Sequence, residues 1–202
     1  MIFFSTDLVF DGNHGQYTEE DEPSPLTVYA RTKAEAEQLV LANPLHTVFR
    51  TSITAGSSPS GARGIDEVLI HQWSNGQSPT LFTDEYRCPI HAKATARATL
   101  EIALAKRTGI YHLAGATRMS RYEIGQAVAA TCTITHCPIH AGSLSEYNGP
   151  PRAADTSLNC RKIQNILSFR LPSLVQDRKE FDPQLCGKLD TSSRSSFQNL
   201  DT

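Results

Sequence analysis

Two short apolar runs separated by one helical stretch constrain this chain more than any other feature. Residues 1–5 are almost wholly apolar and lead into Thr6-Asp7, and residues 46–50 (His-Thr-Val-Phe-Arg) form the second run. Between them Ser24-Pro25 offers a helix start, with Ser24 as N-cap and Pro25 in the first turn, where no N–H is needed. The helix is expected to reach about Ala42, burying Ala30, Ala34 and Leu41, before Asn43-Pro44 stops it. Strand, helix, strand is the pattern of a right-handed parallel crossover. A buried parallel strand carries its chemistry at its carboxyl end, here Thr6-Asp7. The chain therefore reads as an α/β fold.

Tyr29 and Lys33 lie four apart on the expected helix, so their side chains leave one face a turn apart. A free phenol titrates near ~10 and shuttles protons poorly at neutral pH. An ammonium within ~4–6 Å favours the phenolate, and a phenol tuned this way acts as general acid/base toward a carbonyl oxygen. Thr6 would add the hydroxyl that holds that oxygen. Alone, such a pair is most often an ordinary amphipathic helix surface. The order around it is more specific: strand, Ser5-Thr6-Asp7, Val9-Phe10-Asp11-Gly12, the loop Tyr17-Thr18-Glu19-Glu20-Asp21, Ser24-Pro25-Leu26, then the helix. This order resembles the extended short-chain dehydrogenase/reductases, and within them the dTDP-4-dehydrorhamnose reductase-like (RmlD-like) branch. The resemblance implies a Thr6–Tyr29–Lys33 triad. Tyrosine would be the proton donor, lysine would hold the nicotinamide ribose and acidify the phenol, and threonine would bind the substrate carbonyl. It also implies Tyr29, Lys33 and Arg50 at an NADP or NAD cofactor. Thr6, Asp7, Leu8, Ile53, Arg87 and Arg152 would face a nucleotide-sugar substrate.

Further along, the loop 55–64 is rich in Gly, Ser and Pro, but Gly61 is followed by Ala62-Arg63 and not by the Lys-Ser/Thr of a nucleoside-triphosphate site. A mobile loop over a substrate cleft is expected there. Helices are expected at 65–73, at 92–106 with Ala96, Leu100, Ala103 and Leu104 along one side, and at 120–131 with a Ser120/Glu123 capping box. One more helix is expected within 157–167. Short extended pieces fall at 80–82 and 88–90, and a strand at 109–113. Asp84-Glu85-Tyr86-Arg87 with Pro89, Gly109-Ile110-Tyr111-His112-Leu113, Ser120-Arg121-Tyr122-Glu123 and Pro151-Arg152 look like the family's substrate-binding half, and carry the resemblance to about residue 178. Arg87 and Arg152 are the candidates to meet a diphosphate; the alternative is that each braces a loop carbonyl or carboxylate. The implied organisation is the C-terminal part of a Rossmann-type parallel sheet at 1–55 and a mainly substrate-binding small α/β region at 56–180. The helix near 92–106 would pack back on the sheet, and 181–202 would be a disordered tail.

The formal net charge of −2 argues against a dedicated binder of nucleic acid or an anionic membrane. No apolar run approaches the ~20 residues of a membrane span, and the opening lacks the basic leader of a signal peptide, so a cytoplasmic protein is expected. Five cysteines, irregularly spaced, read as free thiols. Cys-Pro-Ile-His occurs twice, at Cys88 and Cys137, but matches no zinc spacing, so no metal is expected. The acidic stretch 18–22 reads as a solvated loop. The family's glycine-rich pyrophosphate turn is absent from this sequence, and by the resemblance residues 1–5 correspond to the fifth strand of the sheet. A truncated gene model, a fragment or a half-protein is the expectation, with a strand edge left open for a homodimer partner or a complementing chain. Leu8 and Ile53 stand where the rhamnose-pathway reductases carry aromatics, so the sugar would differ. A related branch, the regulatory β subunit of methionine adenosyltransferase, keeps the fold as a binding partner, and the alternative function is such an interaction subunit or an inactive fragment.

Overall fold

The computed structural model describes residues 1–174. β1 (Ile2–Thr6) and β2 (Thr47–Thr51) flank α1 (Val28–Leu41) and pair in parallel, from Ile2 opposite Thr47 to Thr6 opposite Thr51. A two-residue β3 (Thr54–Ala55), α2 (Ile65–Ser74), β4 (Thr80–Phe82), β5 (Tyr86–Arg87) and β6 (Ile90–His91) follow. Then come α3 (Ala92–Leu104), β7 (Gly109–Leu113), β8 (Met119–Ser120), α4 (Arg121–Ala129), β9 (His140–Gly142) and a short α5 (Arg161–Gln164). The principal sheet is parallel, in the order β1-β2-β7. β7, expected with the substrate-binding half, pairs with β2 in the same sheet, while β3 pairs with β6 outside it.

Strand alternation distributes the core. Phe49 on β2, with Tyr111 and Leu113 on β7, meets Ala94, Ala98 and Ile102 of α3 and Ile163 of α5. The intervening Arg50 points to the other face, where α1 lies. There it forms a buried two-pronged pair with Glu37, Nη2 to Oε2 at 2.8 Å and Nε to Oε2 at 3.1 Å, and stacks over the Phe10 ring at 5.0 Å.

Two helix faces differ from expectation. α3 buries Ala94, Ala98 and Ile102, a four-residue rhythm offset by two from the expected side, and leaves Leu100 and Leu104 to solvent. α1 buries Ala30, Glu37 and Val40, whereas Leu41 is only partly covered. Its N-cap is Thr27, whose hydroxyl accepts the Ala30 N–H at 3.2 Å; Ser24 instead donates its N–H to the Val9 carbonyl at 2.8 Å. The capping box of α4 forms as read, with Ser120 N–H to Glu123 at 2.7 Å and Glu123 N–H to Ser120 Oγ at 3.1 Å.

The acidic stretch is not wholly solvated: Glu19 accepts the His112 N–H of β7 at 2.8 Å. The loop expected to move over a cleft is tied to the first turn of α2, because Ser58, Arg63 and Gly64 all donate backbone N–H groups to Glu67. Burial pushes the Glu67 carboxyl up, yet the Ser58 and backbone hydrogen bonds prevail and hold it below its ordinary range. The tail 181–202 lies outside the described residues. No helix among those described is long and apolar enough to cross a membrane.

Candidate functional site

Thr6 ends β1 and caps a single 3₁₀ turn at Asp7–Val9, its hydroxyl accepting the Leu8 N–H at 3.2 Å and facing Asp7 Oδ1 at 3.3 Å. Asp7 is buried and collects Ser52 Oγ at 2.7 Å and Arg87 Nη1 at 3.0 Å. Ser52 accepts the Cys88 N–H at 3.2 Å, so the carboxyl ends of β1 and β2 are tied to the segment between β5 and β6. Arg87 Nη1 also donates to Thr156 at 2.8 Å, and Nη2 to Glu85 Oε1 at 3.2 Å. The other Glu85 oxygen accepts Arg152 Nε at 2.8 Å.

Glu85 is the hinge of this network. Burial pushes its carboxyl up; the Arg152 hydrogen bond and the charges of Arg87, Arg121 and Arg152 outweigh that and hold it ionised, below its ordinary range. Three guanidinium groups thus surround two carboxylates, Asp7 and Glu85, which leaves the cluster with an excess of positive charge. A cavity of about 140 Å³ opens on it, with Leu8, Leu26 and Thr27 on one side and Arg87, Arg152 and Ala153 on the other. Arg152 lies 5.3 Å from the Phe82 ring and 5.4 Å from that of Tyr147. Gly12 lets the far wall approach: its φ is +81°, and a Cβ there would come within 2.7 Å of the Ala154 nitrogen.

The residues singled out from the sequence fall into three groups. Thr6, Asp7, Leu8, Arg87 and Arg152 share this network or its cavity. Tyr29 and Lys33 lie on α1 outside the cavity lining: Thr27 lines the cavity, and Tyr29, two residues on, is 54% exposed. Lys33 Nζ donates to the Phe4 carbonyl of β1 at 2.8 Å and sits 4.6 Å from the Phe3 ring. Arg50 and Ile53 are elsewhere. Arg50 is spent on Glu37, because strand alternation turns it toward α1, and Ile53 packs with Ala55, Met119 and Ile124 away from the cavity lining. Sequence reasoning missed Glu85, Ser52 and Thr156. Glu85 had a signal: two positions before Arg87 in an extended segment, it shares that residue's face. Among the described residues no group of three or more His, Cys, Asp or Glu side chains could hold a metal ion.

A parallel α/β sheet with a mixed-charge cavity at its carboxyl edge is a Rossmann-type arrangement. The RmlD substrate binding domain model matches residues 1–182, and the chain belongs to that family. It is 33% identical over 186 residues to dTDP-4-dehydrorhamnose reductase of Sinorhizobium fredii, covering 86% of this chain and 62% of that protein. It is 29% identical over 197 residues to methionine adenosyltransferase 2 subunit beta of Rattus norvegicus, covering 93% of this chain and 59% of the relative. The fold superposes with a TM-score of 0.78, at 18% identity, on dTDP-4-dehydrorhamnose reductase of Bacillus anthracis in complex with NADP, covering 89% of this chain and 64% of the other. The chain spans about three-fifths of the length of the curated relatives it matches.

Proposed function

We propose that this chain supplies the catalytic helix and the sugar-nucleotide side of an NAD(P)-dependent reductase acting on a 4-keto nucleotide sugar, like dTDP-4-dehydrorhamnose reductase. The observation that carries the reading is the cavity between the start of α1 and the Arg87–Glu85–Arg152 network. Its aliphatic wall suits a deoxy-sugar face, and its surplus of guanidinium suits a diphosphate. Both arginines brace carboxylates and also line the cavity.

Lys33 and Tyr29 would face the nicotinamide end of a cofactor. Lys33 already directs its ammonium to an oxygen acceptor, as a ribose hydroxyl would offer, and Tyr29 stands exposed one turn before it. Arg50 does not fit, being buried against Glu37. A reduced nicotinamide, when bound, supplies a hydride to the carbonyl carbon. Tyr29 Oη gives its proton to the ketone oxygen. Thr6 orients the oxygen by exchanging its Asp7 contact for the substrate. By this reading residues 1–55 and β7 form the cofactor-side sheet and the remainder to about 174 closes the substrate side.

The experiment is a reductase assay of the protein carrying this chain, with a dTDP-4-keto-6-deoxy sugar and reduced nicotinamide, for the parent and Tyr29→Phe. Turnover that falls ~10²–10⁴-fold in the variant, with nucleotide-sugar binding retained, is expected. Turnover that survives the substitution overturns the proton-donor role.

A second reading has its own support. Matches to methionine adenosyltransferase 2 subunit beta cover 93% of the chain, and among the described residues β1 is an outer strand of the sheet, with Phe4 42% exposed. A regulatory subunit on the same fold, adding a strand or partner chain at that edge, would bind its partner equally well with Tyr29→Phe and show no turnover in either form.

A further inference from the structure

Cys132 and Cys137 close on each other across the turn that follows α4. Their sulfurs lie 3.2 Å apart, both thiols are free, and both residues are partly exposed. The turn is anchored: Ile134, Cys137 and Ile139 pack with Trp73, Leu81 and Val128, and Trp73 Nε1 donates to the Pro138 carbonyl at 3.0 Å. The other described cysteines are placed differently. Cys88 is buried with Val9 and Phe10, and burial pushes its thiol up to about 11; Cys160 faces the carbonyls of Ala114 and Leu158, its thiol pushed up to about 12.

We propose that Cys132 and Cys137 form a thiol–disulfide exchange site, oxidised to an intramolecular bridge by a small-molecule or protein disulfide. The Cys132 thiolate attacks one sulfur of that disulfide, whose S–S bond breaks and releases the first thiolate. Cys137 loses its proton to solvent and attacks the Cys132 sulfur of the mixed disulfide, expelling the second. Two electrons pass from the cysteine pair to the incoming disulfide, and the two protons released end on the two product thiols. Burial and the adjacent Cys132 push the Cys137 thiol up. Once Cys132 is engaged, its thiol no longer neighbours Cys137 as a free group, and the second step follows. The bridge clamps the turn beneath Trp73 and cross-links the unfolded chain locally.

The test treats the full chain with glutathione disulfide, then alkylates it and follows intact mass and peptide map. The expected product has lost two hydrogens, carries a Cys132–Cys137 cross-linked peptide and no glutathione, and reverts with dithiothreitol. Cys137→Ser should keep a lasting glutathione adduct on Cys132, whereas Cys132→Ser should react far more slowly. Trp73 is the only tryptophan, so its fluorescence isolates this region; the melting temperature it reports should rise by several degrees on oxidation. A wild-type chain that retains glutathione, that forms adducts scattered over other cysteines, that leaves both thiols reduced, or that melts no higher when bridged overturns the proposal.

Discussion

Glu37 and Arg50 show how a single residue pair is committed to structure. Both side chains are at least 96% buried, and Arg50 gives Glu37 three hydrogen-bond contacts. A buried ion pair adds little net stability over an apolar pair of the same shape, but removing one partner strands the other charge. Glu37→Ala should therefore cost about 3–5 kcal/mol in denaturant unfolding. Glu37→Met with Arg50→Met should recover most of that loss. The same accounting separates Arg50 from Arg87 and Arg152. Arg50 meets one carboxylate inside a helix–sheet interface; the other two share Glu85 beside an open cavity. All three arginines look alike in the sequence, and only the third dimension sorts them.

At the scale of the element, α3 explains why a face was misread. Its apolar residues, Ala92, Ala94, Ala96, Ala98, Leu100, Ile102, Ala103 and Leu104, encircle the helix, so several faces satisfy the same rhythm. The sheet decides among them: Phe49 and Leu113 present a pocket that alanines at 94 and 98 let the helix approach closely, with Ile102 filling the end. Ile102→Ala should cost about 2–5 kcal/mol of unfolding free energy, while Leu104→Ala, at 83% exposure, should stay within about 0.5 kcal/mol. Equal losses would contradict the observed face. α4 is the opposite case. Its capping box is local chemistry between residues three apart, and it was legible without any partner. Thr27 displaced Ser24 as the cap of α1 because the segment before the helix is held to Val9, which delays the helix by a few residues.

For the whole molecule, the response to acid follows from what the packed sheet encloses. His112 is fully buried beside Phe10, its Nδ1 donating to the Tyr17 carbonyl at 3.0 Å. Burial, aided by the Arg50 charge, pushes its pKa from 6.5 down to about 3. The unfolded chain then binds a proton that the folded chain refuses throughout that interval, so stability falls as pH drops below about 6.5. Glu67 and Glu85, depressed from 4.5, hold their contribution above that value and lose it as pH falls through their folded pKa. Between pH 6.5 and 4.5 His112 therefore contributes to the decline, and those carboxylates do not. Urea unfolding across this range should show the decline, and His112→Gln should flatten it even if the variant is less stable throughout.

Some features were settled by neighbours along the chain. Apolar runs bracketing a helix dictated a parallel crossover. The four-residue spacing of Tyr29 and Lys33 put them one turn apart on α1. Each of these depends on backbone conformation or periodicity, which are local. Which cation faces solvent, which meets a carboxylate, and which face of an alanine-rich helix turns inward were decided only by packing. Those choices rest on desolvation and on contacts between segments far apart, such as Asp7 with Arg87 and Glu85 with Arg152, and no short window of residues contains both partners.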